Sequence, residues 1–89
     1  MARIQVPPPF RGPTGGADEI EVAGATLLEC IDAAEGIHPG FRSQLLSPGG
    51  EPHRFIRFSL NGTVMQGSML ERAVAPGDVL DILANIAGG

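Results

Sequence analysis

One segment of this 89-residue chain has the apolar spacing of an amphipathic α-helix several turns long, and it limits the folds available to the rest. Its apolar stripe repeats at about 100° per residue and comprises Leu27, Cys30, Ile31 and Ala34. Thr26 and Glu29 have the spacing of a capping box, so the helix is predicted to begin directly after Thr26. We expect it to run to about Glu35, where Gly36 can adopt the left-handed conformation that ends a helix. The other apolar segments must therefore pack against this one main helix.

Five short segments alternate between polar and apolar residues, which is the two-residue period of β-strands with one buried face. They are Arg3 to Val6, Glu19 to Val22, Phe55 to Leu60, Thr63 to Met65 and Val79 to Leu83. Pro7, Pro8 and Pro9 end the first segment, because proline donates no hydrogen bond to a sheet. Asn61-Gly62 predicts a tight hairpin turn between the third and fourth segments, since both residues tolerate a positive φ.

The order of these elements predicts an α+β domain of the β-grasp, ubiquitin-like class. Two strands precede the helix and three follow it, and a short helical turn is predicted over Pro39 to Leu46. The helix has to cover one face of a single mixed sheet of four or five strands, with the first and last strands parallel at its centre. We expect residues 1–84 to form this domain and residues 85–89 to form a flexible C-terminal tail that ends in Gly-Gly.

Composition excludes several classes of protein. The 10 acidic and 6 basic residues give a formal charge of -4, and no basic stripe is present to neutralise a phosphate backbone, so no nucleic-acid binding is expected. No apolar run approaches the roughly 20 residues of a membrane-spanning helix. The N-terminal residues contain no signal-peptide core, so we expect a cytoplasmic protein with no membrane contact. Every basic residue is arginine and none is lysine.

Candidate catalytic and metal-binding residues are few. Cys30 lies on the apolar stripe, which favours a buried core thiol over a sulfur relay. His38 and His53 have no partner at a metal-ligand spacing, so no metal site is predicted. We interpret two acidic pairs as solvated surface and not as a general acid and base: Asp18-Glu19 and Asp78-Asp81. The chain is therefore not expected to be an enzyme on its own, and no catalytic residue is assigned.

Four fragments, taken together and in this order, resemble one known family. They are Gly24-Ala25-Thr26-Leu27 at the helix start, Leu60-Asn61-Gly62 at the hairpin, Pro76-Gly77-Asp78-Val79 before the last strand, and Ile86-Ala87-Gly88-Gly89 at the end. With them the chain resembles the MoaD/ThiS family of ubiquitin-like sulfur carriers over nearly its whole length. Further fragments are similar to the branch that serves cysteine biosynthesis in actinobacteria: Val6-Pro7, Arg11, Thr14-Gly15-Gly16 and His53-Arg54-Phe55. The chain departs from many relatives at Ala84, where they carry proline.

The resemblance implies chemistry at the C-terminus that other proteins perform. A separate E1-like adenylating enzyme would use ATP to convert Gly89 to an acyl-adenylate, and sulfide or a persulfide would displace AMP to leave a thiocarboxylate. Ile86, Ala87 and Gly88 would enter the active sites of partners, where the missing Cβ of Gly88 and Gly89 lets the tail pass a narrow channel. The chain itself would bind no cofactor, because ATP and the sulfur donor are used by the activating enzyme.

The same resemblance implies further partners and leaves the pathway open. The acceptor would be a sulfur-accepting synthase, dependent on pyridoxal phosphate in the cysteine branch, and a zinc metallopeptidase would then regenerate Gly-Gly. Molybdopterin, thiamine, cysteine and sulfur-containing natural products all use carriers of this shape. The alternatives are a ubiquitin-like modifier conjugated through Gly89, the sulfur-carrying small subunit of molybdopterin synthase, and a non-reactive binding subunit.

The alternation also predicts a surface for partner docking. Phe55, Val79 and Leu83 are expected to face outward beside the tail, with Arg57 at the edge of the apolar patch that they form. Exposed apolar patches on small domains often mark interaction sites. We therefore predict that these four residues, called the docking patch below, contact partners.

Overall fold

The computed structural model describes residues 1–54, 56–65 and 69–84. In these ranges a five-stranded mixed sheet carries two helices on one of its faces. The strands are β1 (Ala2–Gln5), β2 (Glu19–Val22), β3 (Ile56–Leu60), β4 (Thr63–Val64) and β5 (Val79–Ala84). The helices are α1 (Leu27–Ile37) and α2 (Phe41–Leu45), and short 3-10 turns occur at Pro8–Phe10 and Met69–Glu71.

The strand order across the sheet is β2-β1-β5-β3-β4. β1 and β5 pair in parallel, with Arg3 opposite Val79 and Gln5 opposite Asp81, and the other neighbouring strands pair antiparallel. This confirms the β-grasp prediction, including the parallel central pair made by the first and last strands. Parallel pairing also places the segment that follows β1 at the same end of the sheet as the end of β5.

The core lies between the helices and the inner face of the sheet. The predicted stripe of α1 is buried there, and none of its members is more than 1% exposed: Leu27, Cys30, Ile31 and Ala34. Alternate residues of the strands cover the other side: Ile4, Ile20, Val22, Ile56, Phe58, Leu80 and Ile82. Phe41 and Leu45 are 0% exposed and anchor α2, which explains how so short a helix is stable, since packing and not propensity holds short helices.

The end of α1 differs from the prediction. The helix continues through Gly36 to Ile37, and Gly36 is not among the residues with a positive φ. The left-handed glycine is Gly40, at φ 98°, directly before α2. The Glu35 carboxylate accepts hydrogen bonds from the N–H groups of Gly40 and Arg42, at 3.0 and 2.8 Å. The carboxylate therefore provides acceptors for backbone N–H groups at the start of α2 and joins the two helices. As a result, the left-handed turn lies at Gly40 and not at Gly36.

Gly24 leaves no room for a side chain, which gives a test of the packing. A Cβ at this position would lie 2.8 Å from the Cys30 backbone nitrogen and 3.0 Å from its Sγ. Because the nearer atom belongs to the helix backbone, α1 would have to shift, and we expect Gly24→Ala to lower the free energy of unfolding by about 1–3 kcal/mol. Urea unfolding followed by circular dichroism measures this change.

Gly36→Ala is the matched control for Gly24→Ala. Nothing lies within 4 Å of a Cβ built at Gly36, and alanine favours an exposed helical position over glycine by about 1 kcal/mol. The two variants should therefore shift the unfolding midpoint in opposite directions. Equal midpoints would contradict the close approach of Gly24 to α1.

Candidate functional site

The predicted tail follows directly from the central strand of the sheet. β5 pairs with β1 from Val79 to Asp81 and with β3 from Leu80 to Ala84, where the last pair is Ile56 and Ala84. The residues after Ala84 thus follow a strand whose first half pairs with both neighbouring strands and whose end pairs with β3. The tail residues Ile86, Ala87, Gly88 and Gly89 lie outside the described residues, so the role assigned to them stays a prediction.

The start of β5 is fixed by the hairpin turn between β3 and β4. Asn61 and Gly62 have φ values of 51° and 89°, which confirms the predicted turn. The Asn61 side chain accepts a hydrogen bond from the Val79 N–H at 2.9 Å and donates one to the Asp78 carboxylate at 3.0 Å. Asp78 also accepts a hydrogen bond from the Ala75 N–H at 2.8 Å. The Asp78 carboxylate therefore joins two turns through exposed hydrogen bonds, a role that the structure adds to its interpretation as surface.

Two carboxyl groups with such hydrogen bonds predict how stability depends on pH. Backbone N–H donors, first Arg42 and then Gly40, lower the pKa of Glu35. The Asn61 amide, followed by a backbone N–H, lowers the pKa of Asp78. A pKa that is lower in the folded state contributes stability at neutral pH, and this contribution is lost as the pH falls through the folded pKa. We expect the free energy of unfolding to decrease as the pH falls from about 5 to about 3.

The measurement for the pH dependence is urea unfolding at several pH values. The double variant Glu35→Gln with Asp78→Asn serves as the comparison, because it removes both titrating groups and keeps one oxygen acceptor in each side chain. Its stability should vary less with pH over that interval than the stability of the unchanged chain. Parallel pH profiles for the two proteins would show that other groups cause the acid sensitivity.

The outward residues of the sheet form rows across the strands. Leu83 lies opposite Arg57 in the row nearest the tail, and both are exposed, Leu83 at 39%. Val79 lies at the other end of β5 and is half-buried. Asp81 stands between Val79 and Leu83 on the same face, so the structure brings Arg57 and Leu83 together and separates Val79 from them by a carboxylate. Phe55, the fourth residue of the docking patch, lies outside the described residues.

Asp81 is the outward-facing residue whose environment sequence reasoning missed. It is half-buried, with Gln5 opposite it on β1 and Ser59 opposite it on β3, so it is not solvated surface as predicted. Alternation assigns a residue to one face of a sheet but not to a depth, because depth depends on the neighbours across the strands. The available signal was a carboxylate in the middle of a strand that was itself predicted to be central.

The segment after β1 forms a compact loop at the tail end of the sheet. The Arg11 Nε donates to the Val6 carbonyl at 2.9 Å. The buried Thr14 hydroxyl lies 3.1 and 2.9 Å from the carbonyl oxygens of Arg11 and Ala17. Arg11 and Thr14 thus stabilise the loop, and a cavity of about 210 Å³ separates this loop from β5 beside Asp81.

The cysteine and the two histidines considered as candidate reactive or metal-binding residues have roles in packing or hydrogen bonding. Cys30 is 0% exposed, and burial raises the pKa of its thiol, which confirms the interpretation as a core residue. His53 Nε2 lies 2.9 Å from the Ser43 carbonyl oxygen, in the wall of a cavity of about 420 Å³ beside α2. The His38 N–H donates to the Ala34 carbonyl at the end of α1.

Among the residues that the structure describes, no three His, Cys, Asp or Glu side chains are grouped as metal ligands. No helix in these ranges combines the length and apolar character needed to cross a membrane.

Comparison with known proteins gives consistent relatives for this fold. The model of the ThiS family matches residues 9–89. The sulfur carrier protein CysO of Mycobacterium tuberculosis is 33% identical over 89 residues, which cover 97% of this chain and 96% of that protein. A chain in the crystal structure of the BexX/CysO complex of Amycolatopsis orientalis aligns with a TM-score of 0.91 and 37% identity, covering 100% of both chains. Small archaeal modifier protein 1 of Haloferax volcanii is 32% identical over 84 residues, which cover 82% of this chain and 93% of that protein.

Proposed function

Since this chain belongs to the ThiS family, we propose that it is a sulfur carrier whose C-terminal Gly89 is adenylated by an E1-like enzyme and converted to a thiocarboxylate. The observation that carries the proposal is the similarity to a named sulfur carrier over nearly the whole of both chains. The match of the family model reaches residue 89, so Gly88 and Gly89 fall inside it. The thiocarboxylate would donate its sulfur in the biosynthesis of cysteine or of a sulfur-containing metabolite.

The proposed chemistry has two steps, and both involve the carboxyl group of Gly89. In the first, a carboxylate oxygen attacks the α-phosphorus of ATP, so that an acyl-adenylate forms and pyrophosphate leaves. In the second, sulfide attacks the carbonyl carbon, the bond to the phosphate oxygen breaks, and AMP leaves with the electron pair. A persulfide that attacks in the same way would leave an acyl disulfide, and a thiol would then have to reduce its S–S bond to release the thiocarboxylate. The enzyme supplies the catalytic groups. This chain supplies the acyl group and the surface by which it is recognised.

The short side chains of the tail fit this chemistry. Reacting atoms must come within about 3–3.5 Å of each other in a defined orientation. Side chains at Gly88 and Gly89 would add bulk where the acyl carbon has to approach a phosphate, whereas glycine lets the backbone itself come close. Ile86 and Ala87 would occupy the channel that leads to the active site of the partner.

The proposed partners follow from the same chemistry. An E1-like adenylating enzyme would form the thiocarboxylate, and a sulfur-accepting synthase, pyridoxal-phosphate dependent in a cysteine pathway, would consume it. A zinc metallopeptidase would regenerate the free Gly-Gly terminus if the product remains attached. The similarity to a CysO chain from the BexX/CysO complex supports a partner protein that binds the folded carrier. We place this cycle in the cytoplasm.

The experiment that tests the proposal is an intact-mass measurement. The chain, with its C-terminus untagged, is incubated with ATP, sulfide and each of several E1-like adenylating enzymes that are active on their own carriers. A mass gain equal to the replacement of one oxygen by sulfur, localised to Gly89 by fragmentation, is the expected result. An unchanged mass with every enzyme would contradict sulfur-carrier chemistry.

A second candidate function is supported by the similarity to small archaeal modifier protein 1. In that case Gly89 would be joined to lysine side chains of target proteins by an isopeptide bond. The chain contains no lysine, so it cannot form polymers of itself through lysine side chains. A covalent adduct with another protein in the mass experiment would favour this function. A thiocarboxylate without an adduct, and with sulfur transfer to a pterin precursor, would instead favour the small subunit of molybdopterin synthase.

A further inference from the structure

Asp81 occupies an unusual place for a carboxylate. It stands in the middle of β5, the central strand, on the face of the sheet opposite the helices. Gln5 and Ser59 flank it across the sheet, and Val79 and Leu83 flank it along the strand. These neighbours leave its side chain half-buried. Partial burial of a carboxylate costs free energy unless donors replace the lost water.

The donors around Asp81 are poor. The hydrogen bond that it accepts within the described residues comes from the Ser59 hydroxyl at 3.5 Å, the outer limit for such a bond. The ion pairs found in the described part of the chain join Arg3 to Glu19 and Arg42 to Asp32, so neither includes Asp81. Nearby Arg57 donates instead to a backbone carbonyl, at 3.2 Å. Among the described residues, Asp81 thus accepts one long hydrogen bond and belongs to neither ion pair.

The cavity beside Asp81 has room for one long side chain. Its volume of about 210 Å³ corresponds to about seven water molecules. Asp18 and Arg11 stand on the loop side, and the Arg11 Nε already donates to the Val6 carbonyl. Two carboxylates and one guanidinium make the cavity negative by one charge, in a chain whose net charge is -4. The complementary occupant is a cation.

We propose that this cavity receives an arginine or lysine side chain of the enzyme that activates Gly89, and that Asp81 is the residue that recognises it. The inference rests on the proposed function. Asp81 lies three residues before Ala84, about 10 Å along the strand, so a pair at this point fixes the base of the tail relative to the partner. A partner without the cation would leave a carboxylate buried and unpaired, so Asp81 also selects among adenylating enzymes.

The test compares two variants that each remove one negative charge. Asp81→Asn keeps the shape of the side chain, and Glu21→Gln is the matched control, since Glu21 is exposed on the same face but lies on β2, outside the cavity. The probe is the adenylating enzyme that converts the unchanged chain to the thiocarboxylate. Its Kd for each full-length carrier is measured by calorimetry at several NaCl concentrations. Asp81→Asn should raise Kd by about 10- to 100-fold and reduce the salt dependence. Glu21→Gln should change Kd by less than about threefold.

The unfolding midpoint separates recognition from a structural role. Because the Asp81 carboxylate is poorly satisfied in the free protein, Asp81→Asn should leave the midpoint unchanged or raise it while Kd rises. An unchanged Kd for Asp81→Asn would overturn the inference and leave the proposed function intact, since the unchanged chain is still activated. Equal weakening by both variants would also overturn it, because a general acidic field would then explain binding. Failure of every adenylating enzyme to act on the unchanged chain would overturn both.

Discussion

One extra residue after Gly89 should lower kcat/KM for thiocarboxylate formation by at least about 100-fold, the largest loss that we expect from any single change. The proposed reaction needs the terminal carboxyl carbon within contact distance of the α-phosphate of ATP, and a displacement of about 1 Å can cost about 100-fold in rate. An added residue moves the carboxylate by a full residue length of about 3.5 Å. It also places an amide where the reacting carboxylate has to lie. Single-turnover assays followed by intact mass measure the effect.

The opposite end of the chain supplies the control. β1 and β5 run in parallel, so the N-terminus lies beside the start of β5 and away from the tail. Met1 is 69% exposed there, and its carbonyl accepts a hydrogen bond from the Gly77 N–H at 2.9 Å. One residue added before Met1 should leave activation unchanged. A protease-removable extension after Gly89 should block activation, and cleavage back to Gly89 should restore it. Full activity of the extended chain would show that Gly-Gly is incidental.

The fold could be predicted from the sequence because local patterns and packing agree in this chain. The stripe around Cys30 and the alternation around Phe58 and Ile82 assign each apolar residue to the same core that the structure shows. Asn61-Gly62 specifies the hairpin through backbone conformation alone. The sequence pattern did not show which of two glycines would adopt the left-handed conformation after α1. Gly36 and Gly40 both can end a helix, and the Glu35 carboxylate, by bonding across the turn, places the left-handed residue at Gly40.

Sequence patterns predicted only part of the candidate site. The tail prediction depends on family resemblance, because a pair of glycines has no side chains from which a periodic pattern could be read. The docking patch was derived from alternation, which placed Arg57, Val79 and Leu83 on one face but did not show that Asp81 divides them. The half-buried state of Asp81 arises from cross-strand neighbours and from the loop that carries Arg11. Both are set by tertiary structure and not by local sequence.

Leu83→Asp should reduce kcat/KM for activation by about 100-fold while the domain stays folded. Leu83 is 39% exposed in the row nearest the tail, so a partner that takes up the tail would cover it. Truncation or polar replacement of a central apolar contact in an interface costs about 2 kcal/mol or more, and about 2.7 kcal/mol corresponds to 100-fold. The fold tolerates the change because the new carboxylate lies opposite Arg57, and opposite charges across strands are favourable. Steady-state assays of AMP release measure kcat/KM.

Two further variants separate apolar contact from charge. Leu83→Asn removes the apolar surface without adding a charge, and it should lose nearly as much activity as Leu83→Asp if the contact is apolar. Ile37→Asp adds the same charge to an exposed apolar residue, 56% exposed, at the end of α1 in the helix layer. It should leave kcat/KM within about threefold, since α1 covers the face of the sheet opposite Leu83 and a screened surface charge there has little effect on binding. Equal losses from Leu83→Asp and Ile37→Asp would mean that overall charge governs activation. Activity retained in both Leu83 variants would place the partner on another face of the domain.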